Sequence, residues 1–258
     1  MAPQLSWMQS RCVNCGICET VCDLGVHSHG EDGKKVDFEK CVGCGKCVSA
    51  CPNAALEIMG KWMTPEEVLD VVERDAPFYA NSGGMTVSGG EPAMQPEFTA
   101  ALLREAKKRG IHTAMETAGH MPWWVYRQFL QDLDMVLLDS KQMDSALHQA
   151  YTGQPNGCIH ENLRNFCRAD CPVEVIVRTP VIPGYNDDFA NFHKLAAFLH
   201  TLERIPSVQI LPYNPLAGSK HSQLGLSYTA QVKEKDANTP EQLCRILQSA
   251  GICAEVIH

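Results

Sequence analysis

Cys12-Val13-Asn14-Cys15-Gly16-Ile17-Cys18-Glu19-Thr20-Val21-Cys22 returns 29 positions later as Cys41-Val42-Gly43-Cys44-Gly45-Lys46-Cys47-Val48-Ser49-Ala50-Cys51, so both stretches read Cys-x2-Cys-x2-Cys-x3-Cys. That spacing suits a pair of [4Fe–4S] clusters, because each loop wraps three thiolates round one cluster while its fourth cysteine reaches across to the other. On this crossed scheme Cys12, Cys15, Cys18 and Cys51 hold one cluster, and Cys41, Cys44, Cys47 and Cys22 hold the other. Pro52 follows the last ligand, whereas Asp23 stands where a second proline would shape the turn.

Zinc ribbons set two thiolate pairs apart and have no use for a further cysteine three residues on. Disulfides suit oxidising compartments, and thirteen cysteines in all cannot pair completely. The opening MAPQLSWMQSRC carries neither a basic stretch nor an apolar one, so no export signal is read and a reduced, cytoplasmic, anaerobic setting is expected. With 258 residues, 45% hydrophobic and 20% charged, the chain has material for a full core in one or two domains. No apolar run approaches the ~20 residues of a membrane span, so no membrane role is expected. A formal net charge of −8 argues against a nucleic-acid partner, which calls for a basic stripe.

Outward from the cysteines the character changes at Thr64-Pro65-Glu66-Glu67, which offers an N-cap hydroxyl, a proline at the first helical position and a glutamate for a capping box. A helix is expected over 64–74. The chain then alternates between β-rich runs and helix-period segments. The runs fall at 84–88, 111–117, 135–139, 173–179 and 207–212, with a further one at 252–257 as a sixth or edge strand. Helices are expected at 95–109, 123–133, 187–203 and 239–250, with Met121-Pro122-Trp123-Trp124 packing at the start of the second. Repeated βα units imply a parallel sheet covered by helices, although periodicity does not separate a barrel from an open doubly wound sheet. The domains expected are 1–60 for the cluster module and 61–258 for the α/β part.

In either architecture ligands bind at the carboxyl ends of the strands. Those ends carry Ser88-Gly89-Gly90-Glu91-Pro92, Glu116-Thr117-Ala118-Gly119, Asp139-Ser140-Lys141, Arg178-Thr179-Pro180 with Ile182-Pro183-Gly184-Tyr185-Asn186-Asp187 after it, and Leu211-Pro212-Tyr213-Asn214 followed by Gly218 and Lys220. Residues 139 and 141 share one side of an extended strand, which puts a carboxylate beside an ammonium. Polar residues at five successive strand ends favour a polar small-molecule site on one face. Cys158, Cys167, Cys171, Cys244 and Cys253 lack ligand spacing and read as buried thiols, and His27-Ser28-His29 reads as solvent-facing.

These motifs, in this order behind a two-cluster segment, resemble the glycyl-radical-enzyme activating enzymes of the radical S-adenosylmethionine superfamily. The resemblance implies a partial (βα)6 TIM-like barrel with a small ferredoxin-like domain, two [4Fe–4S] clusters and S-adenosylmethionine. It places Gly89, Gly90 and Glu91 at the methionyl amino group and Lys141 at its carboxylate. Glu116, Thr117 and Asp139 line the site near the methionine and a monovalent cation, and Arg178 and Asn214 complete the cofactor-binding set. Asn214 and Ser140 stand where the family has histidine and leucine. The implied partners are a glycyl radical enzyme, of the dehydratase, lyase or decarboxylase kind, and an electron donor such as flavodoxin or ferredoxin.

The family's Cys-x3-Cys-x2-Cys, which holds a third [4Fe–4S] cluster, is not found: Cys47-x3-Cys51 and Cys167-x3-Cys171 begin correctly, but Ala54 and Glu174 occupy the third position. The expectation is a chain lacking its first barrel strand, inactive alone, with an exposed sheet edge along 84–88 that invites aggregation. Two other functions compete on the sequence: a ferredoxin-like electron carrier with a vestigial barrel, and a metal-stabilised interaction module.

Overall fold

A computed structural model describes residues 3–30, 33–79, 83–214, 223–225 and 238–257. Two compact units emerge, dividing between Met63 and Thr64; Asn214 and residues 223–225 group with the first.

The cysteine-rich unit is built twice from the same elements. The first copy begins with β1 (Gln4–Trp7) and α1 (Ile17–Thr20), then β2 (His27–Gly30). The second runs β3 (Gly33–Val36), α2 (Lys46–Ala50) and β4 (Leu56–Met59). The elements of one copy lie 29 residues from those of the other, which extends the cysteine repeat to the strands around it. β1 pairs antiparallel with β4, putting Leu5 opposite Ile58, and β2 pairs antiparallel with β3, putting His29 opposite Lys34. Gly16 and Gly45 start the two helices in left-handed backbone, at φ 78° and 76°, a conformation that a side chain disfavours. The buried core is small: Leu5, Cys18, Val26, Cys47 and Leu56.

One expectation fails here. His27 is not solvent-facing but 2% exposed, because strand alternation in β2 turns residues 27 and 29 inward and leaves Ser28 outside.

The second unit opens with α3 (Pro65–Val72), where Thr64 Oγ1 accepts from the Glu67 amide at 3.2 Å and Glu67 Oε2 accepts from the Thr64 amide at 2.8 Å, the reciprocal box that the sequence signals. Then come β5 (Gly84–Val87), α4 (Pro96–Lys108), β6 (His112–Thr117), α5 (Trp123–Tyr126) and β7 (Met135–Asp139). After β7 follow α6 (Ser145–Thr152), α7 (Gly157–Phe166), β8 (Glu174–Pro180), α8 (Phe189–Leu199), β9 (Ser207–Leu211), α9 (Pro240–Ser249) and β10 (Ala254–Val256).

The six strands β5 to β10 pair in parallel and in chain order. Sequential order answers the question that periodicity leaves open, since a doubly wound sheet reverses its order part-way and this one never does. β5 and β10 form the two edges of the barrel-like sheet. On β8 the residues Val175, Val177 and Thr179 are buried, and Ile176, Arg178 and Pro180 alternate with them on the less covered face. The helix-side core includes Leu103, Met115, Phe129, Leu138, Phe166, Val177, Phe192 and Ile210. No helix among the described residues is long and apolar enough to cross a membrane.

The helix expected over 123–133 is only one turn long. Beyond Tyr126 the amides of Gln128, Phe129 and Asp132 bond three residues back, to Val125, Tyr126 and Phe129. This tighter winding delivers Phe129 and Leu133 to the core. α6 and α7 went unread in the sequence, although Asp144 caps α6 by accepting from the Ala146 and Leu147 amides, and Gly153 ends it at φ 82°. Among the thiols read as buried, Cys253 is exposed and Cys158 half-buried.

His160 on α7 stacks against Phe198, ring centroids 4.6 Å apart. Burial, aided by nearby Arg164 and His148, pushes its pKa from the usual 6.5 to about 4. The folded state therefore disfavours the proton that the unfolded chain accepts. Stability from this residue is full above pH 6.5 and is lost as pH falls toward 4, by something of the order of 1–3 kcal/mol. Denaturant midpoints measured across that range should fall less steeply with acid in His160→Gln; an unchanged slope would assign the acid sensitivity elsewhere.

Candidate functional site

In the cysteine-rich unit two cavities divide the eight motif cysteines. Cys12, Cys15, Cys18 and Cys51 line the narrower one. Cys22, Cys41, Cys44 and Cys47 line the other, of about 240 Å³. These are the two sets of the crossed scheme. Backbone amides point at the sulfurs, Gly43 N at Cys41 Sγ (3.4 Å) and Ala55 N at Cys51 Sγ (3.3 Å). Burial pushes the Cys47 thiol up, so protein alone does not favour a thiolate there and a metal would have to supply the stabilisation.

Trp7 Nε1, both ring nitrogens of His27 and Nε2 of His29 are buried without a hydrogen-bond partner. Orphaned polar atoms of this kind are rare in folded proteins, and their concentration beside two cysteine-lined cavities fits an inorganic group carrying acceptor sulfides.

In the second unit the expected residues lie at the strand ends as the motifs imply. Gly89 and Gly90 are exposed, Gly89 at φ 108°, and a Cβ there would meet nothing within 4 Å but would strain the backbone. Glu91 makes three hydrogen bonds. Its Oε1 accepts from Thr117 Oγ1 (2.8 Å) and the Ala93 amide (3.1 Å), and its Oε2 from the Ala118 amide (2.9 Å). It thereby pins the Gly-Gly turn after β5 to the end of β6. Thr117 is buried, and its hydroxyl also bonds the Tyr126 hydroxyl at 3.0 Å. Burial raises Tyr126 to about 12, which keeps that phenol protonated.

Lys141 Nζ donates to Asp139 Oδ2 at 2.7 Å, the shared face expected from the strand. Arg178 Nη1 donates to Glu116 Oε1 at 2.8 Å, reaching past β7. Its Nε donates to Gln209 Oε1 at 3.3 Å, and Gln209 Nε2 donates to Glu255 Oε1 at 3.1 Å. A polar row thus crosses the inner face of the sheet from β6 to β10. Asn214 groups with the cysteine-rich unit and not with these residues, and Gly218 and Lys220 lie outside the described residues.

Sequence reading placed Asn186 in a strand-end motif without a role, and it missed Asn162 and Asn191, which also hold this arrangement. Asn186 Nδ2 donates to the Lys141 and Pro180 carbonyls, both at 2.7 Å, and its Oδ1 accepts from the Ile182 amide at 2.7 Å. Asn162 Nδ2 bonds the Gly119 and Met121 carbonyls, and Asn191 Oδ1 takes the Met143 amide. All three are buried. Each satisfies strand-end backbone that would otherwise lack a partner. Also unforeseen is a cavity of about 160 Å³ in which His120 and His148 stand with Asp139 and Lys141. Asn162, Asn191 and His148 sit within helices, where a lone asparagine or histidine gives no sequence signal of its partner.

Comparison with known proteins shows the family. Residues 39–196 match the radical SAM superfamily model, and residues 11–56 match the 4Fe-4S dicluster domain. The chain is 43% identical over 247 residues to the isethionate sulfite-lyase activating enzyme of Nitratidesulfovibrio vulgaris, covering 93% of this chain and 80% of that protein. It is 34% identical over 248 residues to the 4-hydroxyphenylacetate decarboxylase activating enzyme of Clostridioides difficile, covering 95% and 78%. Among solved structures, a domain of pyruvate-formate lyase-activating enzyme from Bacteroides vulgatus superposes with a TM-score of 0.56 at 30% identity, over 68% of this chain and 99% of that one. The parallel sheet with its polar strand ends, the doubled cysteine module and these likenesses lead to one family: the chain is a radical SAM protein, one of the activating enzymes of glycyl radical enzymes.

Proposed function

We propose that this protein carries two [4Fe–4S] clusters on the crossed cysteine sets, binds S-adenosylmethionine at the strand ends of its sheet, and delivers the resulting chemistry to a glycyl radical enzyme. When bound, the reduced clusters would supply one electron to the sulfonium of S-adenosylmethionine, whose S–C5′ bond would break to leave methionine and a 5′-deoxyadenosyl radical able to take a hydrogen atom from a glycine of the partner. The observation that carries the reading is the juxtaposition of an exposed Gly-Gly turn, the Asp139–Lys141 pair and the Glu116–Arg178 pair at neighbouring strand ends.

The chain's own residues then have separable tasks. Gly89 and Gly90 offer close-approach backbone to the methionyl amino group. Glu91 keeps that turn in place through its three bonds to β6 and the loop. Lys141 meets the methionyl carboxylate, with Asp139 aiming the ammonium and Asn186 anchoring the Lys141 carbonyl. Glu116 and Thr117 line the methionine side, and Arg178 fixes Glu116. The Cys-x3-Cys-x2-Cys triplet of a third cluster is not among residues 1–258, so these residues do not furnish an iron that chelates the methionyl group. Electrons arrive from a small donor of the flavodoxin or ferredoxin type.

Iron and sulfide analysis after anaerobic reconstitution should give about eight of each per chain. Calorimetry on that protein should show S-adenosylmethionine binding, weakened roughly tenfold or more in Lys141→Ala, because a charge-assisted bond contributes about 1.5–3 kcal/mol. Gln128→Ala, exposed and outside these motifs, should bind like the parent. Equal affinity in Lys141→Ala would sink the carboxylate assignment. Formation of 5′-deoxyadenosine by residues 1–258 alone would show that some other group here chelates the methionyl moiety.

A further inference from the structure

The two cysteine-lined cavities are related by the 29-residue repeat, and the repeat breaks at their floors. Opposite residues of β1 and β4, Leu5 and Ile58, line the cavity of Cys22, Cys41, Cys44 and Cys47. The equivalent residues of β3 and β2, 29 positions away in each case, are Lys34 and His29, and they line the cavity of Cys12, Cys15, Cys18 and Cys51. An apolar pair in one half is therefore a cationic and an imidazole side chain in the other.

Lys34 is only 8% exposed and forms no ion pair among the described residues. Its ammonium lies over the Trp7 ring, 5.2 Å from the centroid. A buried lysine without a carboxylate is costly unless an anion is close by. His29 adds a second sign of the same demand: its Nδ1 is 2.7 Å from Glu19 Oε2, while its Nε2 is buried with no partner. In the other cavity Lys46 is already neutralised by Asp23, and both side chains are largely exposed.

A [4Fe–4S] cube with four thiolates is an anion, and one-electron reduction makes it more negative. An ammonium beside one cube favours that extra charge, and the low dielectric of a buried position enlarges the effect. Resting on the two-cluster reading, we propose that Lys34 makes the two clusters unequal, raising the reduction potential of the cluster on Cys12, Cys15, Cys18 and Cys51 above that of the cluster on Cys22, Cys41, Cys44 and Cys47. Lys34 acts as a tuning residue and not as a ligand.

The test is a redox titration of the reconstituted protein with dithionite, followed by electron paramagnetic resonance. The parent should show two separate reduction waves. In Lys34→Met the upper wave should shift to more negative potential while the lower one stays, and Lys34→Arg should restore it. An upper wave that does not move, or two waves that move together, would overturn the proposal. Should Lys34→Met lose iron, single-cluster variants decide independently: the cluster left in Cys44→Ala should titrate with the parent's upper wave, and the one left in Cys15→Ala with the lower. The reverse assignment, or one unresolved wave in the parent, also overturns it. Failure of the two-cluster reading itself looks different, since iron would then fall well short of about eight atoms per chain.

Discussion

Anaerobic chelation of iron is expected to unfold residues 12–59 completely while the six-stranded unit stays folded. The reason is the scarcity of other cohesion in the cysteine-rich unit. Its strands are four residues long and occur in pairs, and a lone strand pair is marginal in water. Its helices are one turn each, far below the length at which a helix holds itself. Two of its five core residues, Cys18 and Cys47, are motif cysteines. Metal-ligand bonds then carry most of the folding free energy. Hydrogen exchange is the measurement: amide protection within 12–59 should drop roughly a thousandfold or more, worth about 4 kcal/mol, while β6 and β8 keep theirs. Retained protection in the stripped protein would mean that the short strands and helices suffice, and a merely structural role for the clusters would lose its basis.

Asn186→Ala is expected to destabilise the second unit by about 3–4 kcal/mol. The residue is 3% exposed and makes three bonds at 2.7 Å, to the Lys141 and Pro180 carbonyls and from the Ile182 amide. Truncation leaves three backbone groups without partners, each bond being worth roughly 1 kcal/mol with an added penalty for burial. The same change frees the Lys141 backbone, so affinity for S-adenosylmethionine should fall together with stability. Denaturant unfolding and calorimetry on one preparation check both, against exposed Gln128→Ala, which should stay within about 0.5 kcal/mol of the parent. A stable Asn186→Ala protein that binds normally would show that the loops after β7 and β8 are held by other means.

Much of the sheet was legible because its signals are local. Thr64 and Glu67 sit three residues apart and satisfy each other directly, so the capping box follows from their order alone. The strand runs end within a residue or two of where β-rich sequence gives way to Gly, Asp or Pro. The segment after Tyr126 was not legible, because the choice between bonding three and four residues back depends on where Phe129 must go to be buried.

The site divides in the same way. Asp139 and Lys141 meet because two residues of one strand share a side, which any extended chain provides. Glu91 meets Thr117 and Ala118 because β5 and β6 are neighbours in register, and nothing near residue 91 announces that. Arg178 finds Glu116 across an intervening strand for the same kind of reason.

By itself the sequence determined where the candidate residues lie: two sets of cysteines at ligand spacing and a polar group closing each of five strands. Those are properties of spacing and residue type, and they survive any fold that keeps the elements intact. Tertiary structure alone decided what each group is free to do. It engaged the Glu91 carboxylate in bracing a turn and supplied buried asparagines to hold the loops. It placed Lys34 and His29 beneath one set of cysteines where Leu5 and Ile58 lie beneath the other. Partnership across strands depends on register and burial, which only the packed chain fixes.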